Sequence, residues 1–180
     1  MPSRLTMIIC ARSIAANYKG VQADGTFPSW DTLKTIYDTA MSVPPNWEIQ
    51  NGANLNALKQ GKWMRKDGKP GGTTDTAAGI SWCGIFATYV LICSGVSVKW
   101  VAFQGIAPLQ PNLERLGGFG NLSKIAPGDI CVKGTNQHHF IVYRREGNML
   151  YSYDGNLAGQ LIGERTTPVG DVHTIYRPLF

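Results

Sequence analysis

Histidine, charge and long apolar runs are all scarce in this chain, and each scarcity removes a class of function. Only 3 of the 180 residues are histidine. They do not complete a zinc spacing with the four cysteines, Cys10, Cys83, Cys93 and Cys131, which include no Cys-x-x-Cys pair. No apolar run approaches the ~20 residues needed to cross a bilayer, so no membrane span is expected. Charged residues make up 16% and hydrophobic residues 43%, a globular composition and not a disordered one. Internal repeats and low-complexity tracts are also missing. Basic residues come in pairs at most, Arg65-Lys66 and Arg144-Arg145, without the dense aromatic-interleaved stripe of a nucleic-acid binder. No nucleic-acid partner is expected.

What is present is a chain of single-domain length with 17 Lys and Arg against 12 acids, a formal charge of +5. That diffuse excess suits attraction to an anionic surface such as a cell envelope. Arg4 followed by "LTMIICA" imitates a signal peptide. The apolar stretch is only about 7 residues long and ends at Arg12, at the short limit for an h-region. The expectation is an opening amphipathic helix with Leu5, Ile8, Ile9, Ile14 and Ala15 inward. The protein is then made in the cytoplasm, and acts in the periplasm or cell wall only after export or injection by other means.

A second helix is expected from the Ser29 cap to the stop at Val43-Pro44-Pro45. Residues 46–79 read as loop, with a short helix near 55–59. The strongest helix covers 82–93, with Ile85, Phe86, Tyr89, Val90 and Cys93 on one side and Gly95 in the capping place. Cys83 and Cys93 share that helix and cannot bridge. Cys10, Cys93 and Cys131 lie in apolar surroundings and read as small core residues. A short helix is expected at 111–116. After it, "GDICVK", "HHFIVYRR" and "NMLYSYD" read as strands, with Arg145-Glu146-Gly147-Asn148 as a tight hairpin turn. "GQLIGERT" and "VHTIYRPL" supply one or two more. Helices first and an antiparallel sheet afterwards predict an α+β layout.

The chemistry centres on Cys83. A thiol nucleophile must be a thiolate, and a helix N-terminus with a nearby imidazolium lowers its pKa from ~8.5. It also needs a histidine to exchange protons and a polar group to orient that histidine. His138 and His139 open a strand, while Asp154 and Asn156 end the neighbouring strand of the same hairpin. If Glu146-Gly147 is a two-residue turn, His139 lies opposite Asp154; a bulge or longer loop brings His138 into line instead. The Cys83 backbone N–H is the natural first oxyanion donor, with a second from the 73–81 loop. His173 reads as a strand residue, and Asp129 as a turn residue.

Trp82-Cys83, then Pro127-Gly128-Asp129, then His138 with Ile141-Val142, then Asp154-Gly155-Asn156 resembles the CHAP family, the cysteine, histidine-dependent amidohydrolase/peptidases, and the related NlpC-like cell-wall peptidases. The resemblance covers about residues 79–157, and Asp154 stands where the family commonly has Glu. It implies a papain-like fold with N-terminal helices packed on a C-terminal antiparallel sheet and the nucleophile at a helix N-terminus. One domain then spans 1–180, with 1–75 as an elaboration and 76–180 as the catalytic core. The resemblance also implies amide hydrolysis in peptidoglycan, with Cys83, His138, Asp154 and Asn156 catalytic and neither metal nor organic cofactor. Family spacing selects His138 as base. Trp82 and His139 are then expected to line the substrate cleft.

A wall-degrading enzyme lacking an export signal suggests a phage lysin or an injected antibacterial effector, the latter partnered by an immunity protein or a secretion-system carrier. Two rival readings remain: a glutamine deamidase or transglutaminase-like toxin using the same residues, and a non-catalytic binding domain.

Overall fold

The computed structural model describes residues 1–17, 83–96, 100–101, 105–106, 112–117, 119–134, 138–157 and 161–180. The expected second helix, the 46–79 loop, its short helix and Trp82 lie outside the described residues.

Helix α1 covers Arg4–Asn17 and α2 covers Cys83–Cys93. A two-stranded ribbon pairs β1 (Trp100–Val101) with β2 (Gly105–Ile106). The main sheet contains β3 (Leu113–Gly117), β4 (Ile130–Lys133), β5 (His138–Glu146), β6 (Met149–Leu157), β7 (Leu161–Pro168) and β8 (Val172–Pro178). It is antiparallel throughout, in the order β3-β8-β4-β5-β6-β7. His173 lies on β8, as expected of a strand residue.

The papain-like α+β expectation is overturned. Among the described residues a six-stranded antiparallel sheet dominates, accompanied by only two short α-helices of 14 and 11 residues. Part of the excess sheet comes from 111–116, expected as helix. Leu113 and Leu116, three residues apart, imitate a helical stripe. Both are buried because β3 pairs along its whole length with β8, more than fifty residues on in the chain. Tertiary pairing overrides so short a periodicity.

Alternation along the strands builds two cores. Ile130, Val132, Ile141 and Tyr153 face one way and join Met7, Phe86 and Val90 of the helices. Cys131, Phe140, Val142 and Leu150 face the other way and join Ile125, Val169, Val172 and Ile175. Cys131 is thus a core residue, and burial pushes its thiol pKa well up. Cys93, also expected in the core, is exposed at the end of α2. Hydrogen bonding to Cys10 outweighs partial burial there and lowers the Cys93 pKa to about 6. Helix α1 packs Ile8, Ile14 and Ala15 against the core as expected, but turns Leu5 and Ile9 outward. Met7 and Ala11 are buried, whereas Leu5 and Ile9 are 65% and 56% exposed.

Three local devices fix the sheet's geometry. Gly95 (φ +80°) ends α2 in a Schellman motif, with Val96 N–H donating to Leu91 O (2.9 Å) and Gly95 N–H to Ile92 O (2.9 Å). The hairpin turn is centred on Gly147-Asn148, one residue later than expected, so Glu146 pairs with Met149. Finally, the Pro-Gly-Asp turn clips β5. Gly128 N–H donates to Val142 O (2.7 Å), and Val142 N–H donates to Asp129 O (3.0 Å). Gly128 has φ +87°, and a Cβ there would stand 2.5 Å from the Arg4 Cβ, so only glycine suits the position.

Candidate active site

Asp129 does more than turn the chain. It is fully buried and accepts hydrogen bonds from Arg177 Nε (2.9 Å) and another guanidinium nitrogen (2.8 Å), and from Ala126 N–H (2.8 Å). This two-point ion pair anchors β4 to β8 beside the strand that carries both histidines.

Cys83 is the first residue of α2 and is 1% exposed. Its Sγ lies 3.7 Å from His139 Nδ1 and accepts from the His139 backbone N–H at 3.4 Å. Burial alone would raise the thiol pKa. Hydrogen bonds with His138 and then His139, reinforced by the charge of both rings, outweigh it and bring the value down to about 5.

His138 is bonded through Nε2 to Asp154 Oδ2 at 2.7 Å. Burial disfavours its imidazolium. The bond to Asp154, then the bond to Cys83, more than offset this and raise its pKa to about 9. With Nε2 committed to Asp154, Nδ1 is the ring nitrogen left to exchange a proton with the thiol. The ring also stacks beside the buried Phe140, with centroids 6.4 Å apart and planes at 23°.

The hairpin register decides which histidine meets Asp154. The displaced turn moves the pairing by two residues, which preserves side-chain faces. A bulge then leaves Tyr143 unpaired between Val142↔Ser152 and Arg144↔Tyr151, moving the pairing back by one, for a net shift of one residue. Phe140 therefore stands opposite Asp154, and His138, two residues back, shares its face. His139 points the other way and is 3% exposed, a buried residue and not a surface one.

Ser152 is a residue that the sequence reading missed. It is fully buried and donates its hydroxyl hydrogen to Asp154 Oδ1 at 2.5 Å. Its only signal was its position two residues before the acid, on the same strand face. Asn156 lies two residues past Asp154 in the left-handed region (φ 59°), where the β6–β7 register shifts. Asn is among the residues that tolerate this conformation best.

Among the described residues there is no cluster of three or more His, Cys, Asp or Glu able to hold a metal ion. None of their helices is long and apolar enough to cross a membrane. No protein-family model matches the chain, and no curated protein or solved structure matches it.

Proposed function

We propose that this protein is a cysteine amidohydrolase that cleaves amide bonds of bacterial peptidoglycan, delivered as an antibacterial effector or a lysin. The observation that carries the reading is a buried thiol at a helix start, its pKa lowered to about 5, beside an imidazole raised to about 9 and held by a buried carboxylate. Near neutral pH those values favour a thiolate–imidazolium pair. The ordered likeness of residues 79–157 to cell-wall amidohydrolases supports the choice of substrate.

In the reaction, the Cys83 thiolate attacks the scissile carbonyl carbon and the carbonyl π electrons move to oxygen. The Cys83 backbone N–H at the start of α2 receives that oxyanion. On collapse the C–N bond breaks, and the proton on His138 Nδ1 passes to the leaving amine, giving a thioester. Water then adds to the thioester as His138 takes its proton. The C–S bond breaks and the thiolate returns, paired again with imidazolium. Asp154 keeps the ring oriented throughout, with Asn156 beside it on β6. An effector of this kind calls for an immunity protein in the producing cell.

The test incubates wild type, Cys83→Ala and His138→Ala with purified peptidoglycan and reads soluble products by mass spectrometry. Muropeptides released by wild type alone are the expected result, and their masses identify the bond. If wild type releases nothing while Cys83 still alkylates rapidly, the wall substrate is wrong. Ammonia release from a glutamine-bearing protein would then favour the deamidase.

A further inference from the structure

We propose that His139 is a second catalytic imidazole at Cys83, which holds the sulfur as a thiolate while His138 moves the proton. The inference rests on Cys83 being the nucleophile. Two contacts from one residue reach Sγ, the ring Nδ1 at 3.7 Å and the backbone N–H at 3.4 Å. That backbone is fixed on one side by the pairing of His139 with Val132. On the other side the β5–β6 ladder ends at Phe140↔Asp154, one residue short of His139. The N–H meets the sulfur where a strand partner would otherwise stand.

The two imidazoles cannot exchange roles. They alternate across β5, and only His138 is bonded to Asp154. A donor pair fixed by a sheet costs no reorganisation when charge develops, which is the property that makes preorganised donors effective. It matters most as the thioester breaks, because the sulfur leaves as an anion and needs donors independent of the proton carrier. The ring serves this purpose as the Nδ1–H tautomer. The other charged groups near the sulfur are few among the described residues. Asp154 of β6 acts through His138, α2 carries no Asp, Glu, Lys, Arg or His, and the charged groups of α1 are Arg4 and Arg12. Arg4 packs against Gly128, and Arg12 lines a cavity of about 190 Å³ with Tyr153 and Glu164.

The experiment follows iodoacetamide alkylation of Cys83 in the folded protein from pH 4 to 8, a reaction that needs no peptidoglycan. His139→Leu should slow alkylation at pH 6 about tenfold, the fall in thiolate fraction expected if the thiol pKa rises by about two units from about 5. His139→Asn, whose amide N–H can stand where Nδ1–H stood, should recover most of that loss. A folded His139→Leu protein that alkylates at the wild-type rate overturns the proposal. Wild type supplies a second readout by 15N-histidine NMR. An Nδ1–H tautomer at His139 that responds as Cys83 titrates is expected; an Nε2–H tautomer that ignores the titration overturns it. If wild-type Cys83 itself titrates like an ordinary thiol, the hydrolase reading fails. A normal wild-type curve with an indifferent His139→Leu removes only the role of His139.

Discussion

Asp129 and Asp154 are both fully buried, both adjoin the central strands of one sheet, and both are bonded to a basic side chain. Their partners make them different. Arg177 keeps its charge at every accessible pH, so its pair with Asp129 is a static tie between β4 and β8. His138 can gain and lose a proton, so its pair with Asp154 can take part in a reaction. Burial and ion pairing therefore do not mark a functional carboxylate; a titratable partner within reach of a nucleophile does.

The sharpest way to separate the two is to neutralise each. Asp154→Asn should cut hydrolysis by about 10²- to 10⁴-fold, because the ring loses its orienting charge and tautomer. Asp129→Asn should instead cost about 3 kcal/mol of stability, the lower end for breaking a buried pair, since the Arg177 side chain is 18% exposed. Chemical denaturation measures the second effect. Its alkylation profile should keep the wild-type rise at about pH 5.

The pH dependence sharpens the contrast further. Hydrolysis needs the Cys83 thiolate, present above about pH 5, and the His138 imidazolium, present below about pH 9. The rate profile of kcat/KM should be a bell between those limits. Stability follows with opposite slopes. His138, raised by its partners, contributes fully below its unfolded value near 6.5 and loses that contribution as pH climbs through about 9. Cys83, lowered from 9.0, contributes fully above that value and loses its contribution as pH falls through about 5. Asp154→Asn should pull in the alkaline limit of the bell, and Asp129→Asn should leave it in place.

Ser152→Ala should give the smallest effect. It removes one donor from Asp154 and should cost about 1–2 kcal/mol of stability. The accompanying loss in kcat should be only several-fold, because the His138–Asp154 bond remains, and an unchanged KM would show that Ser152 acts through Asp154.

What the sequence displayed depended on distance along the chain. The α2 stop at Gly95, the hairpin and the order Cys83, His138, Asp154 were all readable, because each is a short-range pattern or a succession of residue types. The structure gathers those three side chains and adds His139. Features made by distant partners were hidden. The Asp129–Arg177 tie spans 48 residues, and β3 is a strand only because β8 lies against it. The exposed faces of Leu5, Ile9 and Cys93 likewise follow from how the helices sit on the sheet and not from their own spacing. The parity of the hairpin was undecidable from residue types alone, and a single unpaired tyrosine settled it.

That tyrosine makes the length of β5 an inherited instruction in its own right. Replacing side chains along the strand alters packing and leaves the count intact. Adding or deleting one paired residue between Phe140 and Arg144, with Tyr143 still bulged, would renumber the faces and hand Asp154 to the other histidine. For anyone diversifying this protein, the segment should accept new letters far more readily than a changed number of them.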